Sequence, residues 1–282
     1  MSGAPITVVR VPARPLRSVG VDGVLTDLQS LLDLPGVAAG VEQARVACAE
    51  LRWHPAMRRR AEEVRAECTV RAAHASARLD GAQVDLQLVR AAFAGQDGFG
   101  SGVVAATARG AVRAVAQADR QARAWQAGRA PALPQVLSRL HVAAAAGLLP
   151  EHQLGRPVAA DRLDQVARLL AAPAQAPALL IAALAQAELV TTQPFPAGNG
   201  LVARALARVV AIGRGLDPMA VAVWEQGLVQ AGPAATAALA GYASGRPDDV
   251  AAWLTCWSSA MVAGAAEASA AAAAVLAGRL PR

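Results

Sequence analysis

Gln193-Pro194-Phe195-Pro196-Ala197-Gly198-Asn199-Gly200-Leu201-Val202-Ala203-Arg204 is the stretch on which the reading of this chain turns. It joins two apolar segments, 177–192 and 201–212, each without interior proline or glycine and each predicted to be helical. Prolines end the first helix, and glycines allow backbone conformations that turn consecutive N–H groups toward one point, a nest for anions. A second helix starting near Asn199 would add its unpaired N–H groups and the positive end of its dipole, a preference suited to phosphate. Arg204 lies about one helical turn beyond Gly200, so its guanidinium can reach back over the loop to a second anionic group. The same residues also read as a tight helix-to-helix turn with a solvated arginine.

Outward from the loop, the same punctuation recurs. Segments 21–34 and 37–51, split by Pro35-Gly36, read as a helical hairpin. Segment 55–79 predicts one long helix ending near Asp80-Gly81, with Met57, Val64, Cys68 and Ala75 on one face and Arg58, Arg59, Arg60, Glu62 and Glu63 on the other. The glycine-rich run 95–102 follows no strand and reads as a flexible connection rather than a dinucleotide loop. Helices are expected again over 103–126, 134–146, 159–171, 219–230 and 247–276, with turns across 147–157. The 282 residues are 55% hydrophobic but only 3% aromatic, and small side chains on this scale suit close helix packing. The fold class is all-α.

Arginine supplies all 27 basic residues and lysine is absent, which excludes a Walker-type phosphate loop and lysine Schiff-base chemistry. A net charge of +6 fits an acidic partner, but arginine without lysine beside so much alanine reads equally as compositional bias. Cys48, Cys68 and Cys256 match no zinc or redox spacing and read as buried fillers in a reducing, cytoplasmic setting. Pro5, Arg10, Pro12, Arg14 and Pro15 interrupt any secretory signal, and the charge-free stretches 169–187 and 250–266 are too broken for an expected membrane span. His54, His74, His141 and His152 form no metal-type pair and read as structural or exposed, so no metal site is assigned. Trp53, Trp125, Trp224, Trp253 and Trp257 are scattered, with the last two expected at a core edge.

The loop resembles the signature of the Fic (Fido) domain family, His-Pro-Phe-x-(Asp/Glu)-Gly-Asn-Gly-Arg-x-x-Arg. Pro194, Phe195, Gly198, Asn199, Gly200 and Arg204 match with spacing intact. The resemblance implies a Fic-type helical bundle with a helix-loop-helix anion site and a short flap hairpin. It also implies relatedness to proteins that transfer AMP from ATP to a protein hydroxyl, hence ATP or another nucleotide as ligand, a protein target, and a homodimer. Pro194 and Phe195 would fix the loop, Gly198, Asn199 and Gly200 would cradle phosphate, and Arg204 would orient the terminal phosphate. Upstream, Ser76-Ala77-Arg78-Leu79-Asp80-Gly81 is similar to the family's inhibitory motif, (Ser/Thr)-x-x-x-Glu-(Gly/Asn). In the subclass that carries this motif first, Ser76, Asp80 and Gly81 would be the inhibitory residues, with Asp80 pairing to Arg204 and obstructing ATP. By itself the same run reads as a helix C-terminus. The resemblance divides the chain into a helical region 1–95 with the inhibitory-like motif, a core 103–245 containing the loop 193–204, and a C-terminal region 246–282 packed on the core.

The departures fall on the reacting positions. Gln193 stands where the family has its catalytic histidine and cannot take a proton at neutral pH, so general-base help of about a hundredfold to ten-thousandfold loses its agent. Ala197 replaces the acid that holds magnesium, which argues against that ion, and Leu201 replaces the first arginine. Glu188 lies too far back along its helix to substitute. The expectation is a Fic-fold protein with impaired catalysis and a retained phosphate loop. Two alternatives stay open: an active transferase with an altered site, or a basic helical module that binds nucleic acid through Arg52, Arg58, Arg59, Arg60, Arg65 and Arg71. Glu62, Glu63 and Glu67 interleave with those arginines, so a solvated ion-paired face is expected there instead.

Overall fold

The structure, a computed structural model, describes residues 28–129 and 132–279, and among these it is all-α with no β-strand. In chain order the helices are α1 (Val37–Leu51), α2 (Pro55–Arg59), α3 (Ala61–Leu79), α4 (Leu86–Phe93), α5 (Val103–Gln126) and α6 (Leu133–Ala145). They continue as α7 (Asp164–Leu170), α8 (Ala178–Thr192), α9 (Asn199–Gly213), α10 (Trp224–Ala231), α11 (Pro233–Tyr242) and α12 (Pro247–Leu276). The flap hairpin is a correction: the β-type pairing among the described residues is an isolated bridge between Ala146 and Leu149, in a segment where Pro150 and Pro157 deny a hairpin its donors.

The antiparallel pair α8 and α9 forms the centre, with α5 packed along α9. Helix α8 is apolar on every side, and Leu179 through Ala187 are all buried. Helix α12 lies across it: the indole N–H of Trp253 donates to the Ala183 carbonyl (2.9 Å) and that of Trp257 to Gln186 Oε1 (2.9 Å). Both tryptophans are fully buried, inside the core rather than at its edge. Among the described residues α12 is the helix long and apolar enough to cross a membrane, yet its Trp253, Leu254, Trp257 and Met261 face is packed against other helices.

Several boundaries differ from the sequence reading for local reasons. The helix expected over 55–79 breaks at Arg60, whose backbone leaves the helical region (φ −140°, ψ 36°) while its side chain pairs with Glu63 and donates to the Val275 carbonyl of α12. Helix α4 was missed, although Asp85 caps it by accepting from the Gln87 N–H (2.6 Å), and so was α11, which starts on Pro233. The helix expected over 159–171 is a short 3₁₀ turn followed by α7. The helix expected from 219 begins only at Trp224, because Ala220 adopts a left-handed conformation and Asp217 accepts from the Ala222 N–H. Of the first expected helix, 21–27 lie outside the described residues, 28–30 are helical and Leu31–Asp33 is 3₁₀. The run 95–102 is anchored rather than loose: Asp97 pairs with Arg109 (2.6 Å), and Phe99 packs against the core. Buried clusters draw on segments from both sides of that run.

The end of α3 sets up the site. Gly81 takes the left-handed conformation (φ +83°), its N–H bonds to Arg78 O (3.0 Å), and the Ala82 N–H bonds to Ala77 O (2.9 Å). This is a Schellman cap, and it fixes Asp80, the C-cap residue directly after Leu79, turned toward α9.

Candidate functional site

At the end of α8, Gln193 is held in a left-handed conformation (φ 45°, ψ 62°) and its side chain is exposed. Pro194 and Pro196 offer no N–H to the loop, so its closure falls to Asn199. The Asn199 Oδ1 accepts from the Phe195 N–H (3.0 Å) while its Nδ2 donates to the Phe195 carbonyl (2.7 Å). The carboxamide supplies both the donor and the acceptor that this pair of bonds needs. Gly198 then turns the chain through φ +73°, and α9 closes its first backbone bond from the Val202 N–H to Gly198 O (3.0 Å). Ahead of that bond, the N–H groups of Asn199, Gly200 and Leu201 have no backbone acceptor among the described residues.

Beneath the loop lies a residue that the sequence reading did not place there. His141, on α6, is fully buried and stacked on Phe195, with ring centres 4.1 Å apart and 12° between planes. Its Nδ1 accepts the Gly155 N–H (2.8 Å), which leaves Nε2 as the protonated nitrogen, donating to the Ala197 carbonyl (3.2 Å). Burial holds its pKa below the usual histidine range. One imidazole thus ties the loop to the 147–157 turns, which also reach it through the Val158 N–H bond to Pro194 O (2.8 Å). Nothing local in the sequence marks this histidine, because its partners lie 14 and 56 residues away.

Arg204 points back along α9 toward α3. Its Nε donates to Ser76 Oγ (2.9 Å), and its Nη2 donates to both Ser76 O (3.0 Å) and Asp80 Oδ1 (2.6 Å). The arginine side chain is 7% exposed and that of Asp80 21%, so the pair sits at the edge of water. The Asp80 carboxylate also lies directly over Gly200, where any Cβ would collide with it. A carboxylate therefore lies beside the first turn of α9, next to the N–H groups where the helix dipole favours an anion. Beside it opens a cavity of about 400 Å³, lined on its apolar side by Leu228, Leu239 and Trp253.

The structure thus brings together Ser76, Asp80, Gly200 and Arg204, with Pro194, Phe195, Gly198 and Asn199 building the adjoining loop. Gln193 lies at the rim, and Leu201 is buried in the α5–α9 core, its Cδ1 facing Gly110. A magnesium ion does not fit the residues at Ala197: a methyl group stands there, and the adjoining carbonyl is committed to His141. Glu188 accepts from the Tyr242 hydroxyl (2.6 Å) and burial raises its pKa; it is part of the α8–α11 packing. His74 bonds to Val84 O (2.9 Å), not to the loop.

One turn further along α9, Arg208 is 1% exposed and faces three buried acids. Its Nε donates to Asp119 Oδ1 (2.7 Å), Glu225 lies 3.8 Å away, and Asp217 adds a further negative charge. Burial pushes Glu225 up to about 7 and raises Asp217 as well, opposed in each case by the charge of the Arg208 guanidinium. Of the arginines considered for nucleic acid, Arg60, Arg65 and Arg71 are engaged by Glu63, Glu62 and Glu67 respectively.

The sequence matches no protein-family model, and no curated protein matches it. Solved structures do match. A Fic family protein from Desulfovibrio desulfuricans G20 is 17% identical, with 95% of this chain and 78% of that chain covered at a TM-score of 0.56. Residues 134–508 of Fic-1 from C. elegans are 17% identical, with 88% and 82% covered at 0.57. A Fic domain containing signaling protein from Bacteroides thetaiotaomicron VPI-5482 is 14% identical, with 94% and 100% covered at 0.54. The chain has the fold of Fic proteins.

Proposed function

We propose that this chain is a Fic-type relative of the protein adenylyltransferases that keeps a nucleotide-binding cradle, guarded by Asp80, and has lost or strongly weakened AMP transfer. The observation that carries the reading is the Asp80 carboxylate seated over Gly200 and bonded to Arg204 at 2.6 Å. A charge-assisted pair at the edge of water can exchange one anion for another, whereas a solvated turn arginine would have no built partner. A nucleotide would place phosphate on the N–H groups at the start of α9 and on Arg204, and its base against Leu228, Leu239 and Trp253.

Loss of transfer follows from the reacting positions. Gln193 cannot act as a base, Ala197 offers no carboxylate, and the nearby imidazole of His141 spends both nitrogens on the backbone. The test is mass spectrometry of a lysate incubated with ATP and either the wild type or the triple variant Gln193→His, Ala197→Asp, Asp80→Ala. AMP adducts with the triple variant alone are the expected result. Robust adducts with the wild type would overturn the loss of activity, and none with either would overturn the relationship to AMP transfer.

A further inference from the structure

The positive charge of this chain is concentrated on one part of it. Residues 103–156 carry seven arginines and two acids, a net of +5 against +6 for the whole chain. One of those acids, Asp119, is buried against Arg208 and contributes nothing to the surface. Among the described residues, Arg109 has Asp97 as partner and Arg113 is spent on the Ala143 and Ala146 carbonyls, but Arg120 and Arg139 have no carboxylate. Arg120 bonds only to Gln117, its neighbour on α5.

These two exposed arginines flank an open groove of about 540 Å³ between α5 and α6, on residues the nucleotide reading does not use. Its floor is apolar, with Ala124, Ala143 and Val142, the last 42% exposed, and its walls carry Gln117 and Ser138. An apolar strip between cationic edges is complementary to a chain with apolar side chains on one face and carboxylates on both sides of it. Its lining holds no aromatic side chain on which single-stranded bases could stack. The nearest indole, Trp125, is covered by Gly213 and the guanidinium of Arg214.

We propose that the α5–α6 groove is a docking surface for an acidic, amphipathic segment of a partner protein, held by Arg120 and Arg139 across the Val142 floor. The inference is independent of nucleotide binding. The probe is a fluorescein-labelled synthetic peptide with leucine at helical spacing and glutamate elsewhere, titrated with the full chain at low salt and followed by anisotropy. Arg120→Glu with Arg139→Glu should weaken binding about tenfold or more, because two attractive contacts become repulsive. Val142→Asp should weaken it through the floor, and the charge-matched control Arg58→Glu with Arg279→Glu should leave it unchanged. Circular dichroism melts of each variant separate a lost surface from a lost fold. No binding by the wild type, or equal loss in the control with Arg58→Glu and Arg279→Glu, would overturn the proposal. A single-stranded DNA of the same charge that binds more tightly than the peptide, with the same dependence on Arg120 and Arg139, would overturn it in favour of nucleic acid.

Discussion

Arg204 and Arg208 stand one turn apart on the same helix, and their surroundings differ in kind. Arg204 meets one carboxylate, Asp80, and the two oxygens of Ser76, at a cleft where Asp80 is still 21% exposed. Arg208 meets Asp119, Glu225 and Asp217 in a place closed to water, and its Nη2, the free oxygen of Asp217 and both carboxylate oxygens of Glu225 lack hydrogen bonds. The first arrangement is balanced and borders water, so under the proposed function a competing anion would take the place of Asp80 without burying anything new. The second is over-supplied with acid and has no entrance, so it can only hold α9 against α3, α5 and α10.

The sharpest way to separate the two is to remove the cations. Arg208→Ala leaves three buried acids without their counter-charge and is expected to cost about 3–5 kcal/mol, read from urea unfolding. An effect no larger than that of an exposed arginine would break the contrast. His141→Phe keeps the stack on Phe195 but leaves the Gly155 N–H and the Ala197 carbonyl without their partner, for about 2 kcal/mol. The gap between wild type and this variant should narrow on acidification. The folded pKa of His141 is lowered, so its contribution is complete above the ordinary histidine range and is lost as pH falls through the folded value. A gap that widens in acid would show that the imidazole binds its neighbours charged.

Glu225 carries the opposite sign. Its folded pKa is raised to about 7, so its contribution is complete below the ordinary carboxylate range and is lost as pH rises through about 7. Glu225→Gln should therefore gain stability over wild type as pH rises from 5 to about 7, and gain little more above that. A flat difference across that interval would mean that Glu225 stays ionised beside Arg208. Asp80→Ala should show the smallest effect, about 1 kcal/mol, because Arg204 retains both bonds to Ser76 and lies next to solvent. Unfolding on a par with Arg208→Ala would make the Asp80 pair a structural one.

How far each region could be read from the sequence follows the same division. The loop was legible because its demands are local: Asn199 bonds back to Phe195 only four positions away, and Gly198 meets a backbone angle that other residues resist. Most long helices were legible from the spacing of proline and glycine, with α1 and α12 matching to the residue. Asp80 and Arg204, 124 residues apart, were linked only through the resemblance to a known motif pair; no periodicity joins them. The Arg208 cluster and His141 were illegible, since a buried arginine or imidazole in a helix is indistinguishable in sequence from a surface one until its neighbours are known. The break at Arg60 was hidden for a related reason, as the acceptor that draws its side chain away, Val275, belongs to the far end of α12.

Whether an incoming anion displaces Asp80 is decided by thermal unfolding of the wild type and Asp80→Ala with and without ATP. A ligand at about one hundred times its dissociation constant adds about 2.7 kcal/mol, which moves the midpoint of a chain this long by several degrees. That shift is expected in Asp80→Ala and a much smaller one in the wild type, with or without magnesium. Equal shifts in both proteins, or none in either, would contradict the displacement.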